Sequence, residues 1–152
     1  MESAEETQRS RRVDQVMLRD IMTAPPGATL SDAEGLMRFA RLRHLVVVEN
    51  GIVVGLVSYR ALMDATLATL REELAAGDAD ILGRITIDHL VREEPLTIAP
   101  GDSLEAAARQ MLALRIGCLP VAIASPRGPR LVGLLTEAGL LRAAYLPAAP
   151  RA

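Results

Sequence analysis

The chain has 152 residues, half of them apolar and only 2% aromatic. That is room for one ordinary domain or two very small ones, with an aliphatic core and almost no stacking platform for single-stranded nucleic acid. Seventeen basic residues, all Arg, stand against 19 acidic ones for a net charge of −2, and there is one cysteine, which argues against a dedicated nucleic-acid binder and excludes an intrachain disulfide, a multi-Cys zinc site and lysine Schiff-base chemistry.

Residues 1–12 are polar, lack the apolar stretch of a signal peptide, and read as a tail. A short apolar-polar stretch, Val13 to Met17, is followed by an extended segment, Ile21 to Ala24, and a Pro26-Gly27 turn. A helix then starts where Thr29 precedes Asp32, or Ser31 precedes Glu34, by three; either pair suits a cap. Ala33, Leu36, Met37 and Ala40 mark its buried face. Two strands follow, Leu45–Val48 and Ile52–Val57, joined at Asn50-Gly51. Asn-Gly between β-branched runs is a strong hairpin signal, because both central residues of a type I′ turn need positive φ. A helix from about Arg60 to Ala76 carries the stripe Met63, Leu67, Leu70 and Leu74, with Gly77 as its C-cap. The stripe suits packing on its own sheet or a dimer contact.

The pattern then repeats. Residues 13–48 laid over 87–122 at an offset of 74 give ten identities in 36 positions, among them Thr23/Thr97, Pro26/Pro100, Gly27/Gly101, Met37/Met111 and Val47/Val121. The second helix buries Leu104, Ala107, Ala108 and Met111, and Asp102 with Glu105 stands at its start. The second strand pair, Leu119–Ile123 and Leu131–Leu135, flanks a longer loop from Ser125 to Arg130, which moves the offset to 78. Val54-Gly55-Leu56 then matches Val132-Gly133-Leu134, and Ser58 matches Thr136. Each copy is β-α-β-β-α in outline. The expected layout is a tail at 1–12, repeat one at 13–63, a linker helix at 64–86, repeat two at 87–143 and a tail at 144–152. No apolar run approaches the ~20 residues of a membrane span. A cytoplasmic protein with no membrane or nucleic-acid partner is the expectation.

Val13 to Met17, Ile21 to Ala24, Pro26 to Leu30, Arg43 to Val48 and Gly55 to Ser58, together with Leu96 to Ile98, Gly117 to Val121 and Gly133 to Thr136, resemble the cystathionine-β-synthase-type (CBS) domain. No single motif is specific; the ordered set, occurring twice, is similar to a stand-alone bacterial-type CBS pair. The resemblance implies an α+β (α/β) fold of two β-α-β-β-α units packed sheet to sheet about a pseudo-twofold axis. It also implies two clefts between them that take adenosyl compounds such as AMP, ADP, ATP, S-adenosylmethionine or NAD. A non-catalytic sensor follows, with an adenine-containing ligand, a homodimeric state and an unknown regulated protein as its partners. The alternative is a degenerate pair that serves as a structural dimerisation module.

The family's signature maps here as Gly-apolar-apolar-Ser/Thr-x-x-Asp, with the hydroxyl facing phosphate or ribose at a helix N-terminus and the Asp gripping the ribose diol. Ser58 and Thr136 are kept, but Ala61 and Gly139 replace the Asp. Both hydroxyls also suit plain helix caps. Arg43-His44 and Arg60 form a cationic set in the first copy, matched by Gly117, Cys118 and Ala138 in the second. They suit phosphate recognition or a solvated surface. Binding through His44 should weaken as pH rises. The resemblance also places Thr23 and Thr97 beside adenine or ribose, and Pro120 with Val121 as an apolar wall. A strand threonine and a core pair are the plainer alternatives. Cys118 and His89 lack a paired base and orienter, and Cys118 reads as an inert buried thiol.

Overall fold

The computed structural model describes residues 11–74, 77, 81–91 and 95–146. It is mixed α+β and divides into two compact units, Met22–Leu96 on one side and Met1–Ile21 with Thr97–Ala152 on the other. The expected ends of the tails, residues 1–10 and 147–152, lie outside the described residues.

In the unit Met22–Leu96, strand β1 (Thr23–Ala24) runs parallel to β2 (His44–Glu49), with Thr23 opposite Val46. Strand β3 (Ile52–Ser58) returns antiparallel, with His44 opposite Ser58 and Val46 opposite Leu56. Asn50 and Gly51 take φ of 52° and 81° at the turn, as a tight hairpin between right-twisted strands requires. Helix α1 (Leu30–Ala40) is capped by Thr29, whose Oγ1 accepts from the Asp32 amide at 3.1 Å while the Thr29 amide donates to the Asp32 carboxylate at 3.3 Å. Ser31 is the second helical residue, so the choice of caps falls to Thr29. Helix α2 spans Tyr59–Leu74, and the Gly77 amide donates to the Glu73 carbonyl. Ala24, Leu45, Val47 and Val57 point to one face of the strands and pack with Leu30, Ala33, Met37, Leu62 and Ile87. Met63 joins that cluster, whereas Leu67 is 52% exposed.

The second unit repeats the plan. Helix α3 (Leu104–Leu114) is capped by Ser103 through the Ala106 amide. Asp102, the residue the pattern favoured, accepts from the Ala99 amide and shapes the preceding turn. Strands β4 (Cys118–Ser125) and β5 (Gly128–Thr136) pair antiparallel, and Ile98 bridges Val121 in parallel as a single residue. The expected long loop is not formed. Ser125 pairs with Gly128, so the four extra residues lengthen the strands and leave a two-residue turn, closed by the Ser125 hydroxyl donating to the Gly128 carbonyl. Helix α4 (Glu137–Tyr145) closes the unit.

Each unit is completed by a strap from the other end of its repeat pattern. The 3-10 turn Val13–Gln15 lies in the unit of Thr97–Ala152, where the Val13 amide donates to the Asp102 carbonyl and Leu18 exchanges both backbone hydrogen bonds with Leu134. The equivalent turn Ile87–Leu90 lies in the unit Met22–Leu96, where the Ile87 amide donates to the Ala28 carbonyl. Gly133 makes the first docking fit: a Cβ there would meet Met17 Sδ at 2.6 Å and the Leu18 carbonyl oxygen at 2.9 Å. Among the described residues no helix is long and apolar enough to cross a membrane.

Candidate functional site

In the unit Met22–Leu96, the register brings three candidates to one face. Cross-strand partners project to the same side and alternate residues to opposite sides. Thr23 pairs with Val46, and His44 with Ser58, so Thr23, His44 and Ser58 lie on the face opposite Leu45, Val47 and Val57. The other two candidates stand at the same end. The Arg43 carbonyl accepts from the Tyr59 amide at 2.8 Å, and Arg60 follows in the first turn of α2. Arg43 and Arg60 are exposed, while His44 and Ser58 are half-buried. The end of the β2–β3 hairpin thus brings the backbone of Arg43, His44, Ser58 and Arg60 to the start of α2, where a helix has free amides. The Ser58 Oγ caps that helix by accepting from the Ala61 amide at 3.1 Å. A cleft of about 440 Å³ opens between the Thr23–Ala28 segment and the first turns of α1, lined by Thr23, Pro25, Gly27, Ala28, Asp32 and Leu36. Its volume falls within the range of small-molecule sites.

The second unit places its candidates in equivalent backbone positions. Thr136 faces Cys118, and Pro120 faces Leu134. Thr97 precedes Ile98, the residue that bridges Val121. Strand alternation separates Pro120 from Val121: Val121 is fully buried with Ile98, Leu119, Met111 and Leu135 on the helix side. Val121 therefore does not share a face with Cys118, Pro120 and Thr136. The Thr136 Oγ1 caps α4 by accepting from the Gly139 amide at 3.1 Å. Ala61 and Gly139, standing where a ribose-binding carboxylate is expected, thus each contribute the amide that the cap engages.

The charges of the two ends differ. Where the first unit has Arg43 and Tyr59, the second has Gly117 and Glu137, joined by the equivalent bond from the Glu137 amide to the Gly117 carbonyl at 3.0 Å. A Cβ on Gly117 would lie 3.5 Å from the Glu137 Cδ and Oε2, so the carboxylate rests against the glycine. Glu137 was missed from sequence; its signal was the offset of 78 that aligns it with Tyr59. Burial, and secondarily the Glu137 charge, push the Cys118 thiol up to about 12. A thiol so held is a poor nucleophile. Among the described residues no group of three or more His, Cys, Asp or Glu side chains is placed to hold a metal. A larger groove of about 580 Å³, between α3 and α4, is lined by Leu104, Leu112, Leu140, Leu141 and Tyr145 among others and holds none of the candidate residues.

Comparison with known proteins places these observations. The family model described as the CBS domain matches residues 13–68 and 86–145. Protein MJ1225 from Methanocaldococcus jannaschii is 26% identical over 133 residues, covering 86% of this chain and 46% of that protein. Its crystal structure matches with a TM-score of 0.78 over 91% of this chain and 49% of that one. The chain therefore spans about half the length of this curated relative. Two structures match over nearly their whole length. AcuB from Vibrio cholerae is 28% identical with a TM-score of 0.72, covering 89% of this chain and 92% of that one. CBSX2, solved in complex with AMP, is 26% identical with a TM-score of 0.70, covering 88% and 95%.

Proposed function

The chain belongs to the CBS domain family, and from that premise we propose that it is a regulatory module that binds an adenosyl ligand and has no catalytic role of its own. The observation that supports this reading is the shared backbone position of Arg43, His44, Ser58 and Arg60 at the end of the β2–β3 hairpin. There the guanidiniums and the start of α2 would receive the phosphates of AMP, ADP or ATP. Thr23 and the adjoining cleft would face the nucleoside. The AMP bound by CBSX2, at 26% identity, supports the same ligand class. In this reading the protein acts in the cytoplasm as a homodimer. Occupancy reaches a regulated protein through the difference in ligand affinity between two states.

A thermal-shift panel with AMP, ADP, ATP, S-adenosylmethionine and NAD tests the reading. A ligand at about 100 times its Kd stabilises by roughly 2.7 kcal/mol. Arg43→Ala should weaken ATP by about tenfold or more, since a charge-assisted hydrogen bond contributes about 1.5–3 kcal/mol, and leave adenosine nearly unchanged. Equal loss for both would remove the phosphate role.

The second reading, a structural dimerisation module, is favoured by Ala61 and Gly139, neither of which carries a side-chain acceptor for a ribose diol. It predicts no stabilisation by any adenine compound at millimolar concentration, with a dimer that persists in light scattering.

A further inference from the structure

The β4–β5 hairpin is longer than its counterpart, and the extra length carries an open edge. Both hairpins have an irregularity at the equivalent place, between Val47 and Val48 in one and between Val121 and Ala122 in the other. Beyond it the first closes with Val48 opposite Val53 and Glu49 opposite Ile52, whereas the second runs on from Ala122 opposite Leu131 to Ser125 opposite Gly128. On its outer side, among the described residues, β4 pairs only with Ile98: the Ile98 amide donates to the Pro120 carbonyl, and the Ala122 amide to the Ile98 carbonyl. The chain then turns away at Pro100, where the Asp102 amide returns to the Ala99 carbonyl. Ala124 is two residues beyond Ala122, so its amide and carbonyl turn to the same outer side. Its cross-strand partner Pro129 has no N–H, as suits a pair that exchanges no hydrogen bonds. The Ala122 carbonyl and both backbone groups of Ala124 are thus left on an uncovered edge, with Ile123 41% exposed beside them.

That edge has one sign of charge. Residues 117–136 include Arg127 and Arg130 and no acidic residue. Arg127 stands in the turn and Arg130 opposite Ile123; both are exposed, and among the described residues neither has a carboxylate partner. We propose that the edge from Ala122 to Ala124 receives an extended acidic segment of a partner protein as an added strand. Backbone hydrogen bonds to the Ala122 carbonyl and to Ala124 supply the pairing, and side chains set the choice of partner. Natural edge strands are guarded by prolines or charges. Here Pro126 lies in the turn and Pro129 on β5, where they leave the outer groups of β4 free. The arginines repel a basic strand and attract an acidic one. A second copy suits the edge less well, because pairing two such edges sets hairpin tips of like charge against each other. The edge lies at the opposite end of the hairpin from Cys118 and Thr136, so the inference does not depend on the adenosyl reading.

Exchange of backbone amides with deuterium, followed by NMR on the full chain, tests this. In the free protein the Ala124 amide should exchange about tenfold or more faster than the Ile123 amide, which faces β5. A capped hexapeptide of alternating Glu and Val should slow the Ala124 amide, and the same peptide with Lys in place of Glu should not. Arg127→Glu combined with Arg130→Glu should weaken the acidic peptide by about tenfold or more, with the melting temperature unchanged. Equal protection by both peptides, protection by neither at millimolar concentration, or full affinity in the double variant would overturn the proposal. An Ala124 amide already slow in the free protein would overturn it too, and a rate that rises on dilution would identify a second copy as the occupant.

Discussion

Cys118 shows how much a single residue's surroundings decide. It opens β4 with its side chain buried, and burial together with the Glu137 charge pushes its thiol up to about 12 from an ordinary 9.0. At pH 8 the native protein should react with iodoacetamide roughly two to three orders of magnitude more slowly than the urea-unfolded chain, because the thiolate is the attacking species. Equal rates, followed by mass spectrometry, would contradict the burial. The sign for stability follows from the same shift: the folded state holds the thiol proton more tightly, so the contribution is present below about 9 and is lost as pH rises toward about 12. The inertness of Cys118 was legible from its apolar neighbours. The position of Glu137 was not, because an exposed Glu at the start of a helix satisfies the dipole whatever lies opposite; the structure sets its carboxylate 3.5 Å from where a Gly117 Cβ would stand.

At the scale of elements, the helix starts combine legible chemistry with choices that only packing makes. Thr29 and Ser31 both suited the first cap, and Asp102 suited the second. The chain uses Thr29 and Ser103 because Leu30 and Leu104, the next residues, are the first apolar positions drawn into the cores. Thr29→Ala should cost about 1 kcal/mol, a fall of about 2–4 °C in Tm for a chain of this size, while Ser31→Ala should fall within error in the same calorimetric scan. A larger effect at Ser31 would contradict the cap. The strands carry the same lesson. The Asn50-Gly51 turn was readable because its φ demand is written in the residue types. The Ser125–Arg130 segment, rich in Pro and Gly, read as a loop, yet it pairs, since Pro129 and Pro126 occupy a strand position opposite Ala124 and a turn position respectively.

For the whole molecule, the tandem repeat was legible and the exchange of straps was not. Internal similarity reports which segments are alike, and the pattern would be identical if each strap served its own copy. Val13 with Asp102, and Ile87 with Ala28, are equivalent bonds formed across the repeat boundary in both directions. The docking of the first strap against Gly133 can be tested. Gly133→Val would force a Cβ within 3 Å of the Leu18 carbonyl oxygen and Met17 Sδ, at a cost of about 1–3 kcal/mol from overpacking. The Leu18 and Leu134 amides, which bond each other's carbonyls, should then exchange with deuterium faster. Unchanged exchange at both would show that the strap gives way at no cost.

The placement of the straps also sets a timetable during synthesis. Residues 22–96 are all available once the ribosome has passed that stretch, so this unit can close while translation continues. Residues 11–18 emerge before that unit, but Asp102 and Leu134, to which they bond, come after it. At ordinary elongation rates that segment waits on the order of ten seconds for its partner, with the apolar side chains of Val13 and Met17 uncovered in the interval.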